Sequence, residues 1–344
     1  GLTRLEEAAP VREALAARGG SAGGAAAVPG ADAAAGGVFR GAPADPADWP
    51  KAGTLGDFGE APEFAAGSPW LAVDGAAPGG PALTMANLRG RVVIVDFWTY
   101  SCVNCVRTIP HLRSWHETYQ GLGLTIVGVH TPEFEFEKNP DNVGRAMRDL
   151  GIAWPVVQDN AYALWNAYGN RYWPAKYFVD ARGRVRYFHF GEGSYAESER
   201  VIRALLEEAG AKVGGAVSAR DDRLSSRTPE TYLGHLRGAG PVGAAGVRTG
   251  DPAEYRPARR PGNGEWTLEG RWTIAGEYAS TETTGALELG FHARDVFLVI
   301  EPEGPGGTLD VLVDGMRAAD TADVRGGVLA PSESRLYHLV RLEA

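Results

Sequence analysis

Cysteine is nearly absent, 2 in 344 residues, and methionine is almost as scarce at 3. Two thiols cannot build a disulfide framework, so the chain is not a small secreted scaffold stapled by cystines. Positive charge is short as well: 34 Lys and Arg face 43 Asp and Glu, for a formal net charge of −9. A nucleic-acid partner would require a basic face, and this balance argues against one. No apolar run approaches the roughly 20 residues of a membrane-spanning helix. The strongest, Val92–Val95, has the size of a strand. The chain starts at Gly1 without a basic-then-apolar leader and is expected to be a piece of something longer. What is plentiful is conformationally special, 47 Gly and 22 Pro, in a length that accommodates about two domains.

Glycine and alanine mark the borders. Residues 1–60 read as an N-terminal segment ending in a tether: Ala and Gly dominate Gly19–Ala44, and almost nothing there can be buried. Periodic structure is expected from Ala61. Arg91–Trp98 is apolar and β-branched, the profile of a strand buried on both faces. A helix over Cys102–Gln120 follows, then a strand at Leu124–His130 and an acidic loop at Pro132–Pro140. Asp141 or Asn142 is expected to cap the next helix, which ends near Gly151. A strand piece at Pro155–Gln158 and a short helix at Ala161–Tyr168 come next. Strands Ala175–Val179 and Arg184–Phe190 flank a turn at Asp180–Gly183, and an amphipathic helix, Tyr195–Ala209, closes the unit. Residues 61–210 thus read as a three-layer α/β unit. A small, polar, Gly-rich stretch over 211–262 reads as a hinge. Beyond it helix signals vanish: Trp266–Ile274, Ala286–Phe291, Asp295–Glu301, Thr308–Val313 and Arg335–Leu342 read as strands, with a tight turn at Asp314-Gly315. Residues 263–344 are therefore expected to form an all-β antiparallel sandwich.

The chemistry sits in Cys102-Val103-Asn104-Cys105, which follows the buried strand and opens a helix. A helix N-terminus presents unpaired N–H groups and partial positive charge, both favouring thiolate. Cys102 is expected to be the exposed nucleophile, and Cys105, one turn on, the thiol that attacks a mixed disulfide. Zinc would need further ligands that the chain does not cluster, and a structural disulfide would close a trivially short loop. Two inert buried thiols are the remaining alternative. Asp96 lies on a strand that should be wholly apolar. Buried there, it would have a raised pKa and exchange a proton with Cys105; at a strand end it would merely face solvent. Pro174 precedes a strand, as either a cis residue or an ordinary trans proline. Pro110 should kink the helix.

Asp96-Phe97-Trp98, the Cys102–Cys105 pair with Pro110, and Pro174 resemble the thioredoxin fold. Ala61-Pro62-Glu63-Phe64 and Leu88-Arg89-Gly90-Arg91 are similar to TlpA/ResA-like extracytoplasmic proteins. Phe97–Cys105, Val129–Phe134, Phe190-Gly191-Glu192-Gly193 and Thr228–Gly234 resemble the periplasmic part of the DipZ family. The resemblance implies an α/β thioredoxin fold, a central mixed sheet flanked by helices, followed by a carbohydrate-binding-module-like β domain. It also implies a CcdA-like membrane electron donor, in the same full-length chain or separate, and a tethered location in the periplasm or cell envelope. Cys102 is assigned as nucleophile, Cys105 as resolving thiol, Asp96 as buried carboxylate and Pro174 as cis-proline.

The expected activity is extracytoplasmic thiol–disulfide exchange on disulfide-containing proteins, with no cofactor or metal and in the reducing direction. Trp98, Tyr100, Ser101, Trp173 and Pro174 are expected to line the substrate groove. A peroxiredoxin-like peroxide reductase and a non-enzymatic glycan- or wall-binding module are the alternatives. Trp266, Trp272 and Tyr278 would serve the latter as a stacking platform, or else form core.

Overall fold

A computed structural model of the chain describes residues 55–64, 68–71, 82–217, 228–242, 248–304 and 307–343. Most of the expected N-terminal tether and parts of the hinge, 218–227 and 243–247, lie outside the described residues. The described residues fall into two compact units, one drawn from 33–223 and 297–341, the other from 224–296 and 342–344.

In the first unit, β1 (Trp70–Leu71) is followed by β2 (Val92–Trp98), α1 (Val103–Tyr119), β3 (Leu124–His130), a 3-10 turn at Glu135–Lys138 and α2 (Pro140–Leu150). Then come β4 (Val156–Gln158), α3 (Ala163–Ala167), β5 (Ala175–Val179), β6 (Val185–Phe190) and α4 (Tyr195–Glu208). The strands form one mixed sheet in the order β1-β4-β3-β2-β5-β6. β2, β3 and β4 run parallel, while β1, β5 and β6 are antiparallel to their neighbours. All seven β2 residues are buried, as its unbroken apolar run requires of a central strand covered on both faces. Pairing begins before the expected start at Ala61. Gly56 N–H donates to the Arg186 carbonyl (2.8 Å) and Phe58 N–H to that of Val185 (2.9 Å), covering the β6 edge.

Alternation along β2 divides its side chains between the faces. Val92, Ile94 and Trp98 share one buried cluster with Ile109, Leu112 and Trp115 of α1 and Val201, Ile202 and Leu205 of α4. Phe97, on the opposite face, meets Trp165, Tyr168 and Tyr177 edge-on at 5.4–6.0 Å between ring centroids. Asp96 therefore projects toward the α1 face, at the strand's C-terminal end.

Local signals differ from expectation at α2. Asn139 is the cap, its side chain accepting the Asp141 N–H at 2.9 Å, with Pro140 in the first turn. Pro140 lacks the amide hydrogen that a first-turn position leaves unused, which displaces the cap upstream of Asp141 and Asn142. The turn between β5 and β6 forms as expected. Gly183 takes φ +81°, and the Asp180 carboxylate accepts from the Arg182 and Arg184 amides, both at 3.0 Å.

The C-terminal region is all-antiparallel β, assembled from shorter ladders than the sequence suggested. β8 (Trp266–Ile274) pairs with β7 (Ala253–Tyr255), β9 (Ala279–Ser280) and β10 (Ala286–Leu289). Trp266 is buried with Tyr255, Leu268 and Ile274, and Trp272 packs against that cluster with its indole N–H on the Glu269 carbonyl. Trp266 is therefore core, and no three-ring stacking platform forms. β11 (Asp295–Ile300) pairs with the last strand, Arg335–Arg341. The expected strand Thr308–Val313 breaks at Val311 into Leu309–Asp310 and Leu312–Val313. Asp314 and Gly315 both take positive φ, 50° and 81°, as the tight hairpin turn to Met316–Arg317 demands.

Gly128 on β3 tests the tightness of the sheet. A Cβ there would lie 2.9 Å from the Trp98 indole nitrogen and 3.0 Å from a Val156 methyl. Gly128→Ala is expected to lower stability by about 1–3 kcal/mol. Denaturant midpoints measure it, and an unchanged midpoint contradicts the close packing.

Candidate active site

Cys102 is the N-cap of α1, with extended backbone angles of φ −78° and ψ 111°. Its sulfur accepts the Cys105 N–H at 3.2 Å. A backbone donor aimed at sulfur at a helix start favours negative charge on that sulfur. No disulfide joins the two cysteines in this structure. Cys105 is fully buried, while Cys102 keeps 7% exposure. The expectation of a well-exposed nucleophile is thus corrected. Only a small window opens onto Cys102, because it lies in the same cluster as Trp98, Tyr100 and Ile109, with Trp173 packed against it.

Burial pushes the Cys105 thiol above its ordinary range, with hydrogen bonds to the Cys102 side chain and the Thr99 backbone acting the other way. Asp96 is 1% exposed and carries a carboxyl pushed up to about 7 by burial, against the pull of Lys176. Lys176, also 1% exposed, stands opposite Asp96 in the β2–β5 register, with Nζ 3.9 Å from Oδ1. Burial lowers the pKa of its ammonium, which Asp96 and both cysteines favour. Neither carboxylate oxygen of Asp96 nor the Lys176 Nζ hydrogen-bonds to a described residue. Buried polar groups without hydrogen-bond partners cost stability, and ionisable groups perturbed by burial and a charged neighbour cluster at functional sites.

Lys176 was readable beside Asp96, as a charge inside an apolar strand, and the sequence reading missed it. Glu192, of the Phe190–Gly193 motif, joins the same electrostatic neighbourhood. It meets Arg107 of α1 at 3.4 Å, and burial raises its pKa.

The approach to Cys102 is built differently from expectation. Trp98, Tyr100 and Ser101 are 1%, 6% and 3% exposed, so their side chains lie behind the surface and do not form it. Tyr100 stacks on the buried His130 ring at 5.7 Å, and the Thr99 hydroxyl lies 3.3 Å from His130 Nε2. Burial pushes His130 down to about 3, leaving it neutral. The Ser101 hydroxyl donates at 2.5 Å to Glu137, a buried residue that sequence reasoning did not single out. Nothing in the acidic loop distinguishes Glu137 from Glu133 or Glu135.

The Trp173–Pro174 peptide is cis, and Ala175 after it pairs with Phe97. That register places Pro174 at the end of the sheet from which Cys102 emerges. Trp173 is half-buried, with its indole N–H on the Thr131 carbonyl at 3.1 Å. Of the five expected groove residues, Trp173 alone presents a partly exposed side chain.

Two family models match parts of the chain: the AhpC/TSA family over residues 60–188 and the thioredoxin-like C-terminal domain over residues 228–344. The chain is 40% identical over 273 residues to the protein DipZ of Mycobacterium tuberculosis, a match covering 78% of the chain and 38% of DipZ. It therefore spans well under half of that relative's length. It is 29% identical over 127 residues to the thiol-disulfide oxidoreductase YkuV of Bacillus subtilis, covering 37% of the chain and 85% of YkuV. Among solved structures, a thioredoxin-family thiol:disulfide interchange protein from Chlorobium tepidum matches at 27% identity. Its TM-score is 0.35, over 43% of this chain and 95% of that one.

The raised acid has a signed consequence. Its folded pKa lies above the ordinary 3.8, so protonated Asp96 supports the fold fully below that value. The support is lost as pH rises through about 7. Asp96→Asn is expected to gain in stability relative to the parent as pH rises from about 4 to about 8, because it lacks the carboxyl whose ionisation costs the folded state. Chemical denaturation of both reduced proteins across that range measures it, and a pH-independent difference contradicts the assignment.

Proposed function

We propose that this chain is a member of the thioredoxin-like DipZ and TlpA/ResA family and an extracytoplasmic thiol–disulfide oxidoreductase that reduces protein disulfides. The observation that carries the reading is the asymmetry of the two thiols. Cys102 caps a helix and holds a backbone donor on its sulfur, while Cys105 is sealed from solvent on the face to which Asp96 projects.

The Cys102 thiolate attacks one sulfur of the substrate disulfide. A Cys102–substrate disulfide forms, and the other substrate sulfur leaves as a thiolate that takes a proton from solvent. Cys105 then loses its proton to the Asp96 carboxylate and attacks Cys102 Sγ. The second substrate sulfur departs as a thiolate that takes a proton from solvent, Asp96 returns its proton to solvent, and the Cys102–Cys105 disulfide remains. An acid poised near 7 matches this proton exchange at neutral pH. Lys176 favours the ionised form of Asp96 that accepts the proton. Half-buried Trp173 and the backbone at Pro174 would form the shelf on which the substrate chain lies.

Each turnover consumes two electrons. A CcdA-like membrane donor, in the same longer protein or separate, would return them to the Cys102–Cys105 disulfide. In this reading the chain works tethered outside the membrane. No helix among the described residues is itself long and apolar enough to cross one. The β region is assigned no sugar, since Trp266 lies in its core.

Cys105→Ser is expected to accumulate a mixed disulfide through Cys102 with a disulfide-bearing protein such as oxidised insulin, and Cys102→Ser to form none. Reducing-agent-sensitive adducts on gels, mapped by mass spectrometry, provide the readout. Absence of any Cys102 adduct, together with no insulin reduction, would overturn the reading. Rapid peroxide consumption by the parent protein would instead select the peroxide-reductase alternative.

A further inference from the structure

Glu137 is completely buried in the turn between β3 and α2, and its two carboxylate oxygens serve two different segments. Oε1 accepts from the Ser101 hydroxyl at 2.5 Å and the Ser101 N–H at 3.3 Å. Oε2 accepts from the Glu133 N–H at 2.5 Å and the Phe134 N–H at 3.0 Å. Ser101 immediately precedes the nucleophile. One side chain thus ties the loop after β3 to the peptide that orients Cys102.

Every backbone partner of this carboxylate is a donor, so an acceptor-only group is required at both ends. Nothing in the thiol chemistry uses Glu137 directly. A buried carboxylate is expensive to place, and a loop needing only two amide bonds could obtain them from a polar side chain near the surface.

We propose that Glu137 is a positioning residue for the thiol–disulfide reaction: it clamps the Ser101–Cys102 peptide so that the Cys102 sulfur stays on the Cys105 N–H. The inference rests on Cys102 being the nucleophile. A glutamine at 137 must turn its NH2 toward one set of N–H donors, which opens the clamp at one end. An alanine at 101 removes the hydroxyl alone and leaves the Glu133 and Phe134 contacts in place.

The test measures the second-order rate of the reduced protein with a small aromatic disulfide, and the ultraviolet titration of the Cys102 thiolate in a Cys105→Ser background. Glu137→Gln is expected to slow Cys102 roughly tenfold to a hundredfold and to move the thiolate titration to higher pH. Ser101→Ala should reproduce part of that loss, and the double variant should be no slower than Glu137→Gln alone. A lower melting temperature with unchanged rate and titration would make Glu137 a purely structural residue and overturn the proposal. Should Glu137→Gln fail to fold, Ser101→Ala decides, since a parental rate there removes the clamp. Failure of the parent protein itself to react through Cys102 would count against the nucleophile assignment, a result distinct from a reactive parent with equally reactive variants.

Discussion

One hydrogen bond organises the site: the Cys105 N–H donating to the Cys102 sulfur at the start of α1. It exists because the chain leaves β2 at Trp98, turns through three buried residues, and enters the helix with Cys102 in the capping position. A sulfur in that position faces the positive end of the helix, whereas the sulfur one turn later faces the sheet. Identical side chains thus acquire different surroundings from their place in one turn of backbone, and the proposed mechanism gives them different tasks. The flanking constraints serve this arrangement. Tyr100 is stacked on a neutral His130, Ser101 is tied to Glu137, and α1 is seated through Ile109, Leu112 and Trp115 on the β2 face that also carries Asp96.

Beneath that bond lies a conflict between stability and chemistry. Asp96 and Lys176 are buried across from each other at 3.9 Å without hydrogen-bonding partners among the described residues. A separation of that size recovers less of the desolvation cost than direct contact would. An apolar pair at the same register would suit a central strand better. In the proposed mechanism the charged pair supplies a proton acceptor on the face packed against α1, its carboxyl raised to about 7 by burial against the pull of one neighbouring cation. The same burial that raises the Cys105 thiol also makes the Asp96 carboxylate a stronger base, as the proposed transfer of the Cys105 proton needs.

The sequence exposed the parts of this design that break a local rule. Asp96 interrupts an apolar strand, Cys102 and Cys105 bracket one helical turn, Pro174 stands at a strand start, and Asp314-Gly315 is a turn by chemistry alone. Each violates a pattern and can be read without neighbours. The long elements, β2, β3, α1 and α4, were equally legible because their apolar periods run over many residues. What stayed hidden depends on tertiary contact. The burial of Ser101 is set by Glu137, 36 positions away. Gly56 and Phe58 lack a strand pattern and pair only because β6 offers an open edge. The two-residue strands near the C-terminus are too short for any periodicity to declare them. Asn139 was missed for a local reason: Pro140 relocates the cap, and the acidic residues after it looked equally suitable.

The different surroundings of the two thiols should appear as unequal reactivity in the folded, reduced protein. Treating that protein near neutral pH with less than one equivalent of iodoacetamide, then mapping the modified peptide, tests it most directly. Carbamidomethylation is expected at Cys102, with Cys105 left unmodified until the protein is unfolded. Modification of Cys105 first, or of both cysteines equally in the native state, would contradict it.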